Sequence, residues 1–477
     1  MPEVTTLISV HTEDCVNPET DEVPLRLAEV CGRRGCRAVF KVTTEKIRSL
    51  RRNGREDVLE ALKTQDLGFH MTNHSFPPTV PVYTQAMSWD EGVRAFERAE
   101  RQGYEEWKET FGRGASTYTH GTPTPFAFPA LRKWGIPTYA WTCYADIGGA
   151  PVHYMGLVML PASGPNWMHL GFGVSEEGAG QRFGEQFGAI YDRLRAQGGG
   201  MAHISAHECE WAMRGFWDEN FRQGRLVLPG ALRRQEPKPP DEIERGYSNF
   251  GQLVEHVLGL PDSRIVTAGE FHELYRDRLV GTDLPLDEVL VLAEAVAEEI
   301  TFQPLRGQYV SAAESFGVLT EALAHVFRHG CLPRSVPVRY YDGPPRFAET
   351  AAGLGALTPA VLGHVLEDVV DYLGFESRVP AEAWVGNEPM APADFLATTA
   401  QALLAVAREG ELPDRIPLAR GNPTCLRYAP ERASISTWPA FPPDFADDNG
   451  VAMSRLQCWT LKPATRGEQR DISFRRD

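Results

Sequence analysis

The chain changes its pattern near residue 280, and that change constrains the fold more than any single motif does. Before it, short apolar runs alternate with amphipathic stretches. Strands are predicted at 6–10, 38–42, 66–69, 137–142, 152–159 and 201–206. Helices are predicted at 24–33, 55–63, 89–102 and 180–196. This βαβα order leads to an α/β domain with a largely parallel sheet, open or closed into a barrel. A last unit, 251–258 then 264–266 then 268–277, completes it, and the proline- and charge-rich stretch 235–245 is predicted as a loop inside it.

After residue 280 strand signals thin out, and residues 310–338 align without a gap on 390–418. The matching pairs include Ala322/Ala402, Leu323/Leu403, Val326/Val406, Arg328/Arg408 and Gly330/Gly410. Each copy is an amphipathic helix stopped by Gly-x-Leu-Pro, the helix-ending chemistry of glycine and proline. An earlier helix precedes each, at 286–300 and 359–373. The predicted unit is a helix, a connection, a second helix and an extended exit. Three regions follow: 1–280, 281–419, and a C-terminal extension 420–477 with no role legible in its residues.

Composition narrows the function. A chain of 477 residues exceeds one ordinary core, and 42% hydrophobic with 23% charged residues is the make-up of a folded protein. A net charge of −16 speaks against partners made of nucleic acid or anionic membrane. No apolar run reaches the length of a membrane span, and the start of the chain shows no basic-then-apolar leader, so a cytoplasmic location is expected. The 8 cysteines form no CxxC pair and read as reduced, mostly buried thiols.

Two short stretches carry the chemistry. The run Thr6-Leu7-Ile8-Ser9-Val10 leads into His11-Thr12-Glu13-Asp14, placing adjacent carboxylates where a strand opens into a loop. The run Asp66-Leu67-Gly68-Phe69 leads into His70-Met71-Thr72-Asn73-His74, with two imidazoles four residues apart. One carboxylate and two imidazoles make a facial donor set for a divalent metal, with positions left for water and substrate. The second carboxylate is then free to act as a base. On the later strand His203, Ser205 and His207 share a face, and His207 lies at the C-terminal end, where α/β sites gather.

Over 1–280 these motifs resemble the polysaccharide deacetylases of the NodB type, carbohydrate esterase family 4. The resemblance implies a distorted (β/α) barrel, with Glu13 as general base and Asp14, His70 and His74 as metal ligands. It also implies that His207 protonates the leaving amine. The ion would be zinc foremost, with cobalt, nickel or manganese as alternatives, and the substrate a carbohydrate or other small N-acylated molecule. The family's third motif carries an Arg that is absent here. His120 stands in the corresponding stretch as a base-orienting group, a substrate contact or a turn cap. Asp146 loosely matches the fourth motif and is taken as a substrate contact. In the second half, Val379-Pro380, Trp384-Val385-Gly386 and the run from Met390 to Leu396 resemble pseudomurein-binding repeats, implying a mainly α-helical repeat domain that attaches to cell-wall polymers. The alternative to an enzyme is a non-catalytic glycan- or wall-binding protein on a degenerate deacetylase scaffold.

Overall fold

The first strand, β1 (Val4–Thr12), is buried at all 9 of its positions, as a strand covered on both faces must be. It lies near the middle of a large mixed sheet in a computed structural model that describes residues 3–120, 124–140, 144–160 and 162–466. The other strands of the first half are β2 (Val39–Val42), β3 (Asp66–Phe69), β4 (Thr117–Tyr118), β5 (Thr138–Tyr139), β6 (Val152–Tyr154), β7 (Leu157–Met159), β8 (Trp167–His169), β9 (Gly200–His207) and β10 (Ser263–Ile265). Their spatial order is β6-β7-β5-β4-β3-β2-β1-β9-β8, with β10 also on β1. Neighbours from β7 to β8 along this order all run parallel, and β6 is antiparallel. Among the described residues β8 ends the order, leaving an open seam in what the sequence suggests as a barrel.

Register sets the site. His11 pairs across β1 with Lys41 on one side and His207 on the other, while Val42 pairs with Phe69. The C-terminal ends of β1, β2, β3 and β9 therefore meet at one rim, where parallel α/β sheets place their ligands.

Several predicted elements change length. The stretch 152–159 is a hairpin, not one strand, and turns at Met155 and Gly156, whose φ angles are 49° and 78°. The helix Trp89–Phe111 runs well past 102 and stops at Gly112, whose left-handed φ of 68° supplies the C-cap. The stretch 235–245 is only partly a loop: the helix Pro240–Gly259 begins inside it, with proline at its first position and Asp241 and Glu242 in its first turn. There the proline starts a helix where the sequence reading expected it to prevent one. Strands of two or three residues, β4 and β8, are too short to leave a period in the sequence.

The helix Trp89–Phe111 also braces the loop after β3. Glu100 accepts from the Thr72 amide at 2.7 Å and from its hydroxyl at 2.8 Å, and a Cβ on Gly103 would come within 1.9 Å of Thr72 Oγ1. Gly103→Ala is expected to cost about 1–3 kcal/mol through overpacking. Urea unfolding would show it; an unchanged midpoint would mean that the helix and loop do not touch as closely as this.

The second half has a core of its own, built on Leu292, Val296, Phe316, Leu319, Leu366, Phe395 and Leu403. Its helices are Leu286–Glu298, Ala312–His329, Pro359–Glu376 and Pro392–Glu409. A hairpin joins the first two (Gln303–Leu305 with Gln308–Val310), and another joins the last two (Ala383–Val385 with Glu388–Met390). Gly330 and Gly410 end the second and fourth helices at φ of 69° and 84°. No helix of the described residues is long and apolar enough to cross a membrane.

The extension after 419 returns to the first half. Its strand Lys462–Pro463 pairs with β6, and Cys458 and Leu461 enter the main core.

Candidate active site

β1 carries His11 to the site and ends at Thr12; just beyond it Glu13 turns to the same histidines and Asp14 turns away into its own loop. The amides of Glu13 and Asp14 both donate to Glu208 Oε1, just beyond β9, which fixes the turn. Burial, with the charges of Glu13 and Asp14, pushes the Glu208 carboxyl up to about 8 against the opposing pull of Lys46. The Asp14 carboxylate is taken up by its own loop, accepting from Val16 N and Asn17 N at 3.0 Å each and from Asn17 Nδ2 at 2.8 Å. It is Glu13, not Asp14, whose carboxylate lies against the histidines.

His70 follows β3 directly. Its Nδ1 lies 3.0 Å from the Thr119 carbonyl, which can only accept, so Nδ1 carries a proton and the ring is oriented by that contact. That Nε2 is 2.6 Å from Glu13 Oε2 and 3.1 Å from His11 Nδ1. Met71 and His74 both have positive φ, 67° and 22°, so the loop is held in a strained form that folds the second imidazole back over the first. His74 Nδ1 contacts Ser75 Oγ at 2.7 Å; its Nε2 is buried without a hydrogen-bond partner and lies 3.6 Å from Glu13 Oε2. Burial foremost holds both His11 and His74 well below the ordinary histidine value. For Glu13 burial acts upward, but the electrostatic pull of the imidazoles around it, His74 foremost, and the His70 hydrogen bond prevail and hold its carboxyl far below the usual range.

The imidazoles form a row. Ring centroids are 5.6 Å apart from His120 to His74, 4.3 Å on to His70, 4.8 Å on to His11, 4.4 Å on to His207 and 5.3 Å on to His169. At its far end Glu210 Oε1 lies 2.6 Å from His169 Nε2 and 3.5 Å from His207 Nδ1, and Glu210 Oε2 accepts from the His207 amide. Burial alone would lower the His207 pKa; the hydrogen bond and charge of Glu210, with Glu13 and Glu208, raise it instead to about 9.

A cavity of about 650 Å³ opens over Glu13, His11, His74 and His207. Its opposite wall belongs to the C-terminal extension, which supplies Ser436, Trp438, Phe441, Phe445 and Asp447. Trp438 Nε1 donates to Asp218 Oδ2 at 2.8 Å, and its ring stands 5.5 Å from that of His74. Burial foremost raises both Asp218 and Asp447 to about 6.

Of the residues singled out from the sequence, Glu13, His74 and His207 line this cavity, His70 is buried behind them against Glu13, and His120 is buried one ring further along the row. Asp14 lies beneath them in its loop. Asp146 is exposed, accepts from the Gly149 amide at 2.9 Å and does not line the cavity; Tyr144 does. Sequence reasoning passed over His11 as a site residue, although its two-residue spacing from Glu13 on a strand was the available signal. It also passed over Glu210, Asp218 and the wall from the extension, which no local pattern announces.

No family model matches this chain. No curated protein matches it either. Among solved structures it is similar to a protein from Mycobacterium smegmatis named as a polysaccharide deacetylase, at 13% identity over 57% of this chain and 88% of that one, with a TM-score of 0.37. It is also similar to a 4-alpha-glucanotransferase from Thermococcus litoralis, at 10% identity over 62% of this chain and 46% of that one, TM-score 0.39. A third is the Xyl-CE4 domain of a multidomain xylanase from the hindgut metagenome of Trinervitermes trinervoides, at 10% identity over 57% and 90%, TM-score 0.30. At these TM-scores the functional argument rests on the site itself.

Proposed function

We propose that this protein is a metal-dependent hydrolase that removes an N-acyl group, foremost an acetyl group, from a sugar or cell-wall-related amide. The observation that carries the reading is Glu13: a buried carboxylate against His70 Nε2 and His74 Nε2 at the floor of a cavity. The donor set suits a divalent ion, zinc before cobalt, nickel or manganese, because His74 Nε2 is buried without a hydrogen-bond partner and His70, oriented by the Thr119 carbonyl, turns Nε2 toward Glu13 and His11, where a bound ion would replace the proton between them. His70, His74 and His11 would hold the ion; His11 takes the place that the family resemblance gave to Asp14. When bound, the ion supplies a Lewis acid for the acyl oxygen and for water.

The remaining steps belong to the chain's own groups. Glu13 accepts the proton of the attacking water. His207, held as an imidazolium by Glu210, gives its proton to the departing amine. Trp438 and Phe216 give the cavity an aromatic wall against which a sugar ring can lie. We extend the NodB-like reading to residues 1–280 and place the helical units 281–419 outside the chemical step, as a surface for polymer contact.

Release of free amine from N-acetylated amino sugars by the metal-loaded protein tests the reading; no turnover on any of them, with metal bound, would sink it. Its pH profile adds a second check. A protonated His207 is required and its pKa is raised, so activity holds below about 9 and falls as pH rises through that value. Glu210→Gln removes the charge that raises it, and the alkaline limb is expected to move down by about one to two pH units. A limb that stays in place would take His207 out of the proton-donor role.

The commitment of Asp14 to its own loop favours one second reading, a glycan-binding protein without catalysis. Sugar binding without amine release would identify it.

A further inference from the structure

The cavity wall has a charge pattern that hydrolysis of a neutral amide does not use. Beyond Glu13 it presents three acids, Asp218, Glu219 and Asp447; among the described residues no lysine or arginine lines it, and its cationic side chain, the His207 imidazolium, is engaged by Glu210. Glu219 is answered by Arg222. Asp218 accepts from Trp438 Nε1 and, at 3.4 Å, from Ser75 Oγ; Asp447 accepts from the Tyr144 hydroxyl at 3.0 Å and the Gly450 amide at 2.9 Å. All of these donors are neutral, and both aspartates are more than nine-tenths buried. Buried carboxylates are stable as ions when a positive charge faces them, and neutral donors replace only part of their lost hydration.

Aromatic faces surround the two aspartates. Tyr144, Phe216, Trp438, Phe441 and Phe445 line the same space. Rings beside carboxylates form a setting for organic cations, because the π face and the anion attract the same charge. Ser434, Ser436 and Thr437 add hydroxyls that suit a sugar. The unpartnered His74 Nε2, buried and on the same cavity, shows that this space is built to receive a ligand. The net charge of −16 would draw a cation toward it from a distance.

We propose that the substrate is a cationic amino sugar, with at least one free ammonium group held between Asp218 and Asp447 while a neighbouring acylated nitrogen lies over Glu13. This rests on the deacylase reading for the reacting end and adds the charge of the rest of the molecule. The neutral, fully acylated sugar is then the poorer ligand.

Binding is measured without turnover, by calorimetry on the full chain at pH 7.5, with neamine, a polycationic amino sugar, as the probe beside its fully N-acetylated form. Neamine is expected to bind at least tenfold tighter than the acetylated form, and to weaken as salt is raised. In Asp218→Asn/Asp447→Asn, which keeps acceptors for Trp438 and Tyr144, neamine binding falls at least tenfold and binding of the acetylated form is unchanged. Equal affinity for the two probes, or no neamine binding at millimolar concentration, overturns the proposal; the comparison in wild-type protein decides this even where the double variant does not fold. If neamine binds selectively but no acylated sugar is hydrolysed, the deacylase reading fails and the cation site stands.

Discussion

Alanine at both His70 and His74 is expected to leave the purified protein without bound divalent metal, whereas Glu13→Gln keeps the metal and loses hydrolysis. The two variants separate holding from chemistry. His70 Nε2 and His74 Nε2 both face Glu13, at 2.6 and 3.6 Å, and His70 Nε2 also faces His11, so each can turn a lone pair to an ion bound there. Removing both leaves His11 alone with a carboxylate, too few donors for a site that normally takes three or four. A Lewis acid supplies several kcal/mol to such a reaction, and about 4 kcal/mol corresponds to a loss of about 10³-fold in rate. Glu13→Gln keeps the size and an oxygen to accept from Trp217 Nε1, which lies 3.4 Å from Glu13 Oε1, but cannot take up a proton, so the loss is again expected near 10³-fold with elemental analysis still reading about one ion per chain. If Glu13→Gln loses its metal, Glu13 is a ligand and the base lies elsewhere. If wild-type protein holds no metal after reconstitution, the hydrolase reading falls.

How far this site could be read from sequence follows from the length scale of each signal. Glu13, His70 and His74 come from stretches in which a strand runs straight into its donors, and local order is what a sequence shows directly. The assignment between Glu13 and Asp14 rests on resemblance in the sequence; in the structure an Asx-type turn, with Asp14 Oδ1 accepting from the amides of Val16 and Asn17, competes locally for the Asp14 carboxylate and decides the geometry. His207 was legible as the end of a strand, but Glu210, which sets its charge, lies in a helix of only four residues. The fold shows the same division. Burial at every position made β1 plain, while β4, with two residues, has no period to read. The wall made by 434–447 is contributed across more than 200 residues of chain from Asp218, and no pattern within a segment encodes such a meeting.

That wall depends on an anchor far from the chemistry, and breaking the anchor is expected to have the largest effect on stability. Lys462 is buried in the strand beside β6, with Nζ 2.7 Å from both Glu314 oxygens and 2.6 Å from Asp277 Oδ2. It ties the extension to the helix Ala312–His329 of the second half and, through Asp277, to the stretch that follows the helix Ala268–Tyr275. Burial alone would lower the Lys462 pKa; Glu314 and Asp277 outweigh this and raise it, so the ammonium stays charged. Lys462→Met fills the space but leaves two carboxylates facing each other without a cation, which is expected to cost about 3–5 kcal/mol in urea unfolding. Adding Glu314→Gln removes one of those charges and is expected to recover part of the loss, a coupling that two independent sites would not show. Because 434–447 are joined to this strand through the helix Asp448–Gln457, the same substitution is expected to raise KM for substrate more than it lowers kcat. A cost below about 1 kcal/mol would mean that the triad is solvated in solution, and that the cavity wall is held by Trp438 and Tyr144 rather than by the end of the chain.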